Sequence, residues 1–208
     1  MPPIQQHLTI IIDRITNDGY AVIEHFFTAQ NVAALAAHAQ HLKAQGLMRK
    51  AATGLDTNQH KASLLRGDFT HWIEASDAGP IEQTYLEAMD ALQQALNQAF
   101  FLGLFELESH FAIYPTGTGY QKHLDQFIGK EDRKISCILY LNEDWQANDG
   151  GELRIYLDKN DSQKTVDIAP TGGKLVVFVS SDFLHEVLPA KRERISITGW
   201  FRTRSTQR

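Results

Sequence analysis

Two metal-binding side chains stand two residues apart in the sequence His123-Leu124-Asp125. Alternate side chains of a strand share one face, so this imidazole and carboxylate could converge on a single ion. The motif is weak by itself, because nine histidines and 25 acidic residues make such a pair common by chance. For the isolated motif, a strand histidine hydrogen-bonded to a neighbouring acid is the simpler interpretation.

His185 and Arg194 give this pair its context. Two imidazoles and one carboxylate are typical of non-haem iron(II) sites, where they leave three coordination positions open. Arg194 also begins a run in which Ser196, Thr198 and Trp200 share its strand face. A strand with its polar face in water explains this run too, although a large tryptophan prefers burial. If the face lies inside a barrel, the guanidinium needs an anion, and a dicarboxylic acid would supply one.

Tyr140 is a second candidate donor to the same carboxylate. It shares a strand face with Ser136 and Ile138, so its hydroxyl could lie beside an apolar wall. A core aromatic side chain is the competing interpretation, and the residues of this strand alone favour it. The tyrosine therefore supports the dicarboxylate site only together with Arg194.

The elements that must position these residues change character near residue 104. Before it, apolar residues recur every three or four positions, which predicts helices over 4–16, 28–45 and 80–102, with Thr28 as an N-cap. After residue 104, apolar residues recur at every second position, which predicts strands. The strands predicted there cover 109–115, 119–125, 134–142, 152–157, 164–168, 174–179, 183–188 and 193–202.

These periods predict an α+β fold, a double-stranded β-helix (jelly roll) core with N-terminal helices packed on one outer face. The 208 residues fit one domain, 1–208. Within it, 1–103 is mainly helical support and 104–202 forms the jelly-roll core. The polar segment 49–68 is either a mobile surface loop or a lid.

Composition narrows the partners and the compartment. The formal net charge is −5, so no broad basic field attracts nucleic acid or an anionic membrane, and neither is expected as a partner. No apolar run approaches the length of a membrane span. The single cysteine, Cys137, excludes an internal disulfide and fits a reducing compartment. These features predict a cytoplasmic protein.

Several short stretches of this chain resemble, in the same order, those of one known family. They are Leu65-Arg66-Gly67-Asp68, Trp72-Ile73-Glu74, the run from Tyr114 to Tyr120, His123-Leu124-Asp125, Ile138-Leu139-Tyr140-Leu141-Asn142, Asp144-Trp145, Gly150-Gly151-Glu152-Leu153-Arg154-Ile155, His185-Glu186-Val187, Pro189-Ala190, and Arg194 with Thr198 and Trp200. The set is similar to the 2-oxoglutarate- and iron(II)-dependent oxygenases of the prolyl 4-hydroxylase group. The resemblance is greatest to the hypoxia-inducible-factor prolyl hydroxylases and their short bacterial relatives.

The resemblance implies a set of site residues and cofactors. Iron(II) would be held by His123, Asp125 and His185, and these would be catalytic together with Arg194. The 2-oxoglutarate pocket would be formed by Arg194, Tyr140, Tyr114, Ile138, Leu153, Thr198 and Trp200. O2 would be the second cosubstrate, with ascorbate as a candidate reductant.

The resemblance also implies a reaction and a substrate. The reaction would hydroxylate C4 of a prolyl residue in an intracellular protein, with succinate and CO2 as co-products. The protein would approach through loop 49–68, a lid in this interpretation. Asp68 would stabilise that region by pairing with an arginine near the iron strand, which we predict to be Arg133.

Two departures from the family leave the substrate open. The turn from Tyr114 to Tyr120 is one residue shorter than in the animal enzymes, and His110 stands where an apolar pocket residue is expected. One alternative is an oxygenase of a free amino acid or small metabolite, which needs no peptide-binding loop. The other is a non-catalytic jelly-roll metal-binding module, which has no use for Arg194 together with Tyr140.

Overall fold

Three helices precede most of the sheet structure. The computed structural model describes residues 4–51, 66–126, 131–158, 161 and 163–204. Within them, α1 covers Ile4–Asp18, α2 covers Ala29–Ala44 and α3 covers Pro80–Phe100. The Thr28 hydroxyl accepts a hydrogen bond from the backbone N–H of Asn31 at 3.1 Å, which confirms the predicted cap of α2. Of the described helices, none is both long and apolar enough to cross a bilayer.

Eleven strands are found in the described residues. They are β1 (Tyr20–Ile23), β2 (Arg49–Lys50), β3 (Phe69–Trp72), β4 (Leu104–Tyr114), β5 (Tyr120–His123), β6 (Arg133–Tyr140), β7 (Leu153–Tyr156), β8 (Thr165–Ile168), β9 (Leu175–Val179), β10 (His185–Val187) and β11 (Arg194–Thr203). All eight predicted strands are present, with shifted ends. The sequence patterns missed β1, β2 and β3, which lie in the half expected to be mainly helical.

The strands form two antiparallel sheets. The larger has the order β1-β9-β6-β11-β4-β3-β2, and the smaller has the order β5-β10-β7-β8. Consecutive strands alternate between the two sheets through much of the second half of the chain, as in a jelly roll. The predicted fold class is confirmed.

Strand alternation divides the core into two layers. One face of the large sheet, including Leu139 and Ile197, packs against the helices. The opposite face, including Ile138 and Tyr140, packs against Leu153 of the small sheet. Neighbouring residues of a strand point to opposite faces of the sheet. One set of side chains therefore packs against the helices, and the other set faces the small sheet. The side chains on the second face are the ones available to a site between the sheets.

Candidate active site

The two candidate histidine ligands face each other across adjacent strands. His123 of β5 is directly opposite His185 of β10, and their ring centroids are 4.3 Å apart. Nδ1 of His123 lies 2.7 Å from the Gln121 carbonyl oxygen, and Nδ1 of His185 lies 3.1 Å from that of Phe183. Because a carbonyl oxygen can only accept, the proton of each neutral ring belongs on Nδ1. Both Nε2 lone pairs are then available to a metal.

The Asp125 carboxylate lies beside the two imidazoles, although, contrary to the sequence prediction, it does not belong to the same strand as His123. β5 ends at His123 and Asp125 lies in a bend beyond it, so strand alternation does not place the carboxylate. Its Oδ1 is 3.6 Å from Nε2 of His123, and its Oδ2 is 3.5 Å from Nε2 of His185. One ligand atom from each of the three residues lies within 4.8 Å of the others. This spacing and donor set fit one iron(II) ion.

The protonation states of the buried groups also suit metal binding. Burial raises the pKa of the Asp125 carboxyl, but the facing imidazoles of His185 and His123 outweigh it, so the pKa lies well below its usual range. Burial lowers the pKa of His185, and the nearby Asp125 only partly offsets this. At neutral pH the carboxyl is therefore ionised and His185 is neutral. These are the forms that ligate metals.

Arg194 is a buried cation without an anionic hydrogen-bond partner in the described structure. It begins β11 and is 1% exposed. Its Nε donates to the Gly151 carbonyl oxygen at 3.0 Å, and its Nη1 lies 3.5 Å from the Ser196 hydroxyl. Nη2 has no hydrogen-bond partner among the described residues. Since a buried charge is costly unless paired, this guanidinium fits a carboxylate ligand.

Tyr140 lies beside that guanidinium. Its ring centroid is 5.0 Å from Cζ of Arg194, and its buried hydroxyl finds no hydrogen-bond partner in the described parts of the chain. Burial raises the pKa of Tyr140 to about 12, despite the opposing effect of Arg194. The phenol is therefore a protonated donor at neutral pH. The Tyr140 hydroxyl and Nη2 of Arg194 could both donate to the same anion.

The other predicted residues line the space between Arg194 and the metal-binding side chains. One pocket is bordered by the three candidate ligands, by Arg194, and by the predicted residues Tyr114, Ile138, Leu153, Thr198 and Trp200. Strand register explains this, because Arg194 is paired with Tyr114 and Thr198 with Ile138. The pocket is also bordered by Arg66, Tyr120 and Val187, which had no predicted role.

Tyr120 and Arg66 join the base of the 49–68 segment to an iron-ligand candidate. The Tyr120 ring stacks on His123 with centroids 3.7 Å apart, and Cζ of Arg66 is 4.9 Å from the Tyr120 centroid. The backbone N–H of Gly67 donates to Gly119 at 3.0 Å. Both Arg66 and Tyr120 were present in the matched motifs. Their mutual contact, however, depends on a long-range pairing that sequence spacing does not reveal.

Asp68 pairs with Arg66, so the predicted partner Arg133 was wrong. Nε and Nη2 of Arg66 donate to the two carboxylate oxygens of Asp68 at 2.6 and 2.8 Å. Arg133 instead donates to Glu108 at 3.0 Å. Arg66 is only two residues from Asp68 in the chain, and its planar guanidinium satisfies both carboxylate oxygens at once.

His110, where an apolar residue was expected, extends this network. It is buried, and its Nε2 lies 3.1 Å from Nη2 of Arg66. Its ring centroid is 4.9 Å from that of Trp72 and 5.4 Å from that of Trp200. Burial, followed by the charges of Arg66 and Arg133, lowers the pKa of His110 well below its ordinary value. A neutral imidazole can accept from Arg66, which explains a histidine among these tryptophans.

Replacing Asp68 with asparagine should destabilise the protein. Asp68 is fully buried, and the change leaves the mostly buried Arg66 guanidinium without its charged partner. Breaking such a pair from one side costs about 3–5 kcal/mol. Urea unfolding measures this loss, with the exposed Asp77→Asn as a control expected to stay within about 0.5 kcal/mol of the parent. Equal stability of the two variants would contradict the importance of the Arg66 pair.

Known proteins resemble this chain in sequence and fold. The model of the 2OG-Fe(II) oxygenase superfamily, where 2OG is 2-oxoglutarate, matches residues 109–202. The crystal structure of a Pseudomonas putida prolyl-4-hydroxylase is 43% identical in sequence, with a TM-score of 0.85. That match covers 95% of this chain and 100% of the other. Sequence and fold therefore agree over nearly the whole chain.

Two curated relatives extend the similarity to animals. The hypoxia-inducible factor prolyl hydroxylase of Caenorhabditis elegans is 30% identical over an alignment of 207 positions, which covers 94% of this chain and 28% of that protein. Egl nine homolog 1 of Homo sapiens is 30% identical over an alignment of 211 positions, which covers 97% of this chain and 48% of that protein. The chain thus spans less than half the length of either animal protein. It belongs to the prolyl 4-hydroxylase group of the 2OG-Fe(II) oxygenase superfamily.

Proposed function

We propose that the chain is an iron(II)- and 2-oxoglutarate-dependent dioxygenase that hydroxylates C4 of a prolyl residue in an intracellular protein. One observation carries the oxygenase part of this proposal. A single pocket contains a His-Asp-His metal-binding group and, at Arg194, a buried guanidinium whose hydrogen-bond partners in the described structure are neutral oxygens. A metal-binding module without turnover has no need for such a cation. The combination favours an oxygenase.

The protein's part in the reaction is to bind and orient. His123, Asp125 and His185 would hold iron, and Arg194 with Tyr140 would bind the far carboxylate of 2-oxoglutarate. Bound iron, with 2-oxoglutarate and O2, supplies the oxidising power for inserting oxygen into an unactivated C–H bond, with succinate and CO2 as co-products.

The walls of the pocket limit access by water. Leu153 and Ile138 are buried apolar side chains on opposite sheets, and Tyr114 is buried beside Arg194, with its ring centroid 5.2 Å from Cζ. In so apolar a setting, a carboxylate gains more from Arg194 than it would in water. The same walls would keep the cosubstrate in a single orientation.

The prolyl target is inferred from relatives and from the pocket rim. The P. putida relative is named a prolyl-4-hydroxylase and the C. elegans relative a hypoxia-inducible factor prolyl hydroxylase. In this chain, β2 pairs with β3, and the Ala51 N–H donates to the Asp68 carbonyl at 2.9 Å. Both ends of segment 49–68 therefore meet beside Arg66, which borders the pocket. Residues 52–65 of the proposed lid lie outside the described residues.

Mass spectrometry of cell-lysate proteins tests this function. Lysate is incubated with the protein, iron(II) and 2-oxoglutarate, and an Asp125→Ala sample serves as the control. We expect a gain of one oxygen on a proline in the parent sample alone, with 4-hydroxyproline recovered after hydrolysis. Succinate formed with a free amino acid or metabolite but without modified protein would favour the small-molecule alternative. Absence of succinate under all conditions would contradict an oxygenase.

A further inference from the structure

Asp125 needs support that its own backbone does not supply. His123 and His185 belong to paired strands, which hold their positions through the sheet. Asp125 lies in a bend after β5 has ended. A carboxylate on such a segment can rotate about its side-chain torsions unless its oxygens are held by other groups. Any precise placement of Asp125 must therefore come from its side-chain contacts.

Two buried hydroxyls supply such a contact. Ser136 Oγ donates to Asp125 Oδ2 at 2.7 Å, and Ser180 Oγ lies 2.8 Å from Ser136 Oγ. Both serines are 0% exposed. Because an ionised carboxylate can only accept, the Ser136 proton points to Asp125, and the Ser136 oxygen then accepts from Ser180. The bonds run in one direction, an arrangement in which each strengthens the next.

The two serines are held by the pairing of the large sheet. Ser136 lies within β6, paired with Trp200 of β11 on one side and Phe178 of β9 on the other. Ser180 directly follows β9, and its backbone N–H donates to Lys134 at 3.0 Å. The hydroxyl chain thus connects the centre of the large sheet to a carboxylate on a loop.

We propose that Ser136, supported by Ser180, is a positioning residue that holds the Asp125 carboxylate in the orientation needed to ligate iron. This inference rests on the proposed iron site and extends it beyond the three ligands. Groups that hydrogen-bond to a metal ligand orient it and typically change metal affinity by about 10–100-fold when removed. Ser136 hydrogen-bonds to the ligand Asp125. The Gln121 and Phe183 carbonyls hydrogen-bond to the ligands His123 and His185 in the same way.

Manganese(II) titration of the metal-free protein tests the proposal without relying on turnover. Free Mn(II), a divalent ion that accepts the same nitrogen and oxygen ligands, is measured by electron paramagnetic resonance. Ser136→Ala should weaken binding by about 10–100-fold, and Ser180→Ala should weaken it by less. Ser136→Thr should restore most of the affinity, because threonine keeps the hydroxyl and is favoured in strands.

Ser109→Ala is the matched control. Ser109 is also buried in the large sheet, but it lies beside Tyr85 of α3, so its loss should leave Mn(II) affinity unchanged. Parent-like affinity in both Ser136→Ala and Ser180→Ala overturns the proposal, as does an equal loss in Ser109→Ala. If Ser136→Ala does not fold, Ser180→Ala and Ser136→Thr decide. A parent that binds Mn(II) no better than Asp125→Ala would instead contradict the iron site itself.

Discussion

Asp125→Ala is expected to have no detectable iron-dependent conversion of 2-oxoglutarate to succinate. Asp125 supplies the one carboxylate of the proposed ligand set, and its oxygens lie within 3.6 Å of Nε2 of both His123 and His185. Alanine removes the negative charge and one of three ligands, which leaves two imidazoles to hold a divalent ion. Succinate release at saturating iron(II) and 2-oxoglutarate measures the loss.

The control for this variant is Asp13→Ala, which removes an exposed acid from α1. It should retain parental turnover, because surface substitutions away from a site change little. Circular dichroism would show whether Asp125→Ala keeps the fold. A folded Asp125→Ala protein with full turnover would show that the ligand assignment is wrong.

Arg194→Ala is expected to weaken 2-oxoglutarate binding by about ten- to a hundredfold or more. A hydrogen bond between charged groups contributes about 1.5–3 kcal/mol, and about 1.4 kcal/mol corresponds to a factor of ten in the dissociation constant. Nη2 of Arg194 has no partner among the described residues, so it can serve a ligand without breaking an existing bond. Calorimetry with Mn(II) in place of iron, without O2, measures the dissociation constant.

Two further variants separate charge from geometry. Arg194→Lys keeps the positive charge but loses the planar fork, so its affinity should fall between those of the parent and Arg194→Ala. Arg192→Ala removes an exposed arginine two residues away and should bind 2-oxoglutarate like the parent. If Arg194→Ala also binds like the parent, the cosubstrate carboxylate lies elsewhere.

Features set by local alternation could be predicted from the sequence. The side chains of Arg194, Thr198 and Trp200 border one pocket, whereas Ile195 and Ile197 pack towards the helices. This division follows from the two-residue period of a strand, which requires no knowledge of the neighbouring strands. The three- and four-residue spacing of apolar residues was likewise sufficient to predict α1, α2 and α3.

Features that depend on pairing between distant segments could not be predicted in this way. β1 and β3 have only four residues each, too few for a periodic signal, and their partners are remote in sequence. The opposition of His123 and His185 depends on the register of β5 with β10. The Arg66–Asp68 pair, by contrast, joins residues only two positions apart, and it was missed because the family resemblance implied an arginine near the iron strand instead.

A crystal structure of the protein with Mn(II) and 2-oxoglutarate, prepared without O2, would test the central claim most directly. One ion should be bound by Nε2 of His123, Nε2 of His185 and the carboxylate of Asp125. The far carboxylate of 2-oxoglutarate should lie against Arg194, within hydrogen-bond distance of Tyr140. An ion held by other residues, or a carboxylate bound away from a still unpaired Arg194, would contradict the assignment.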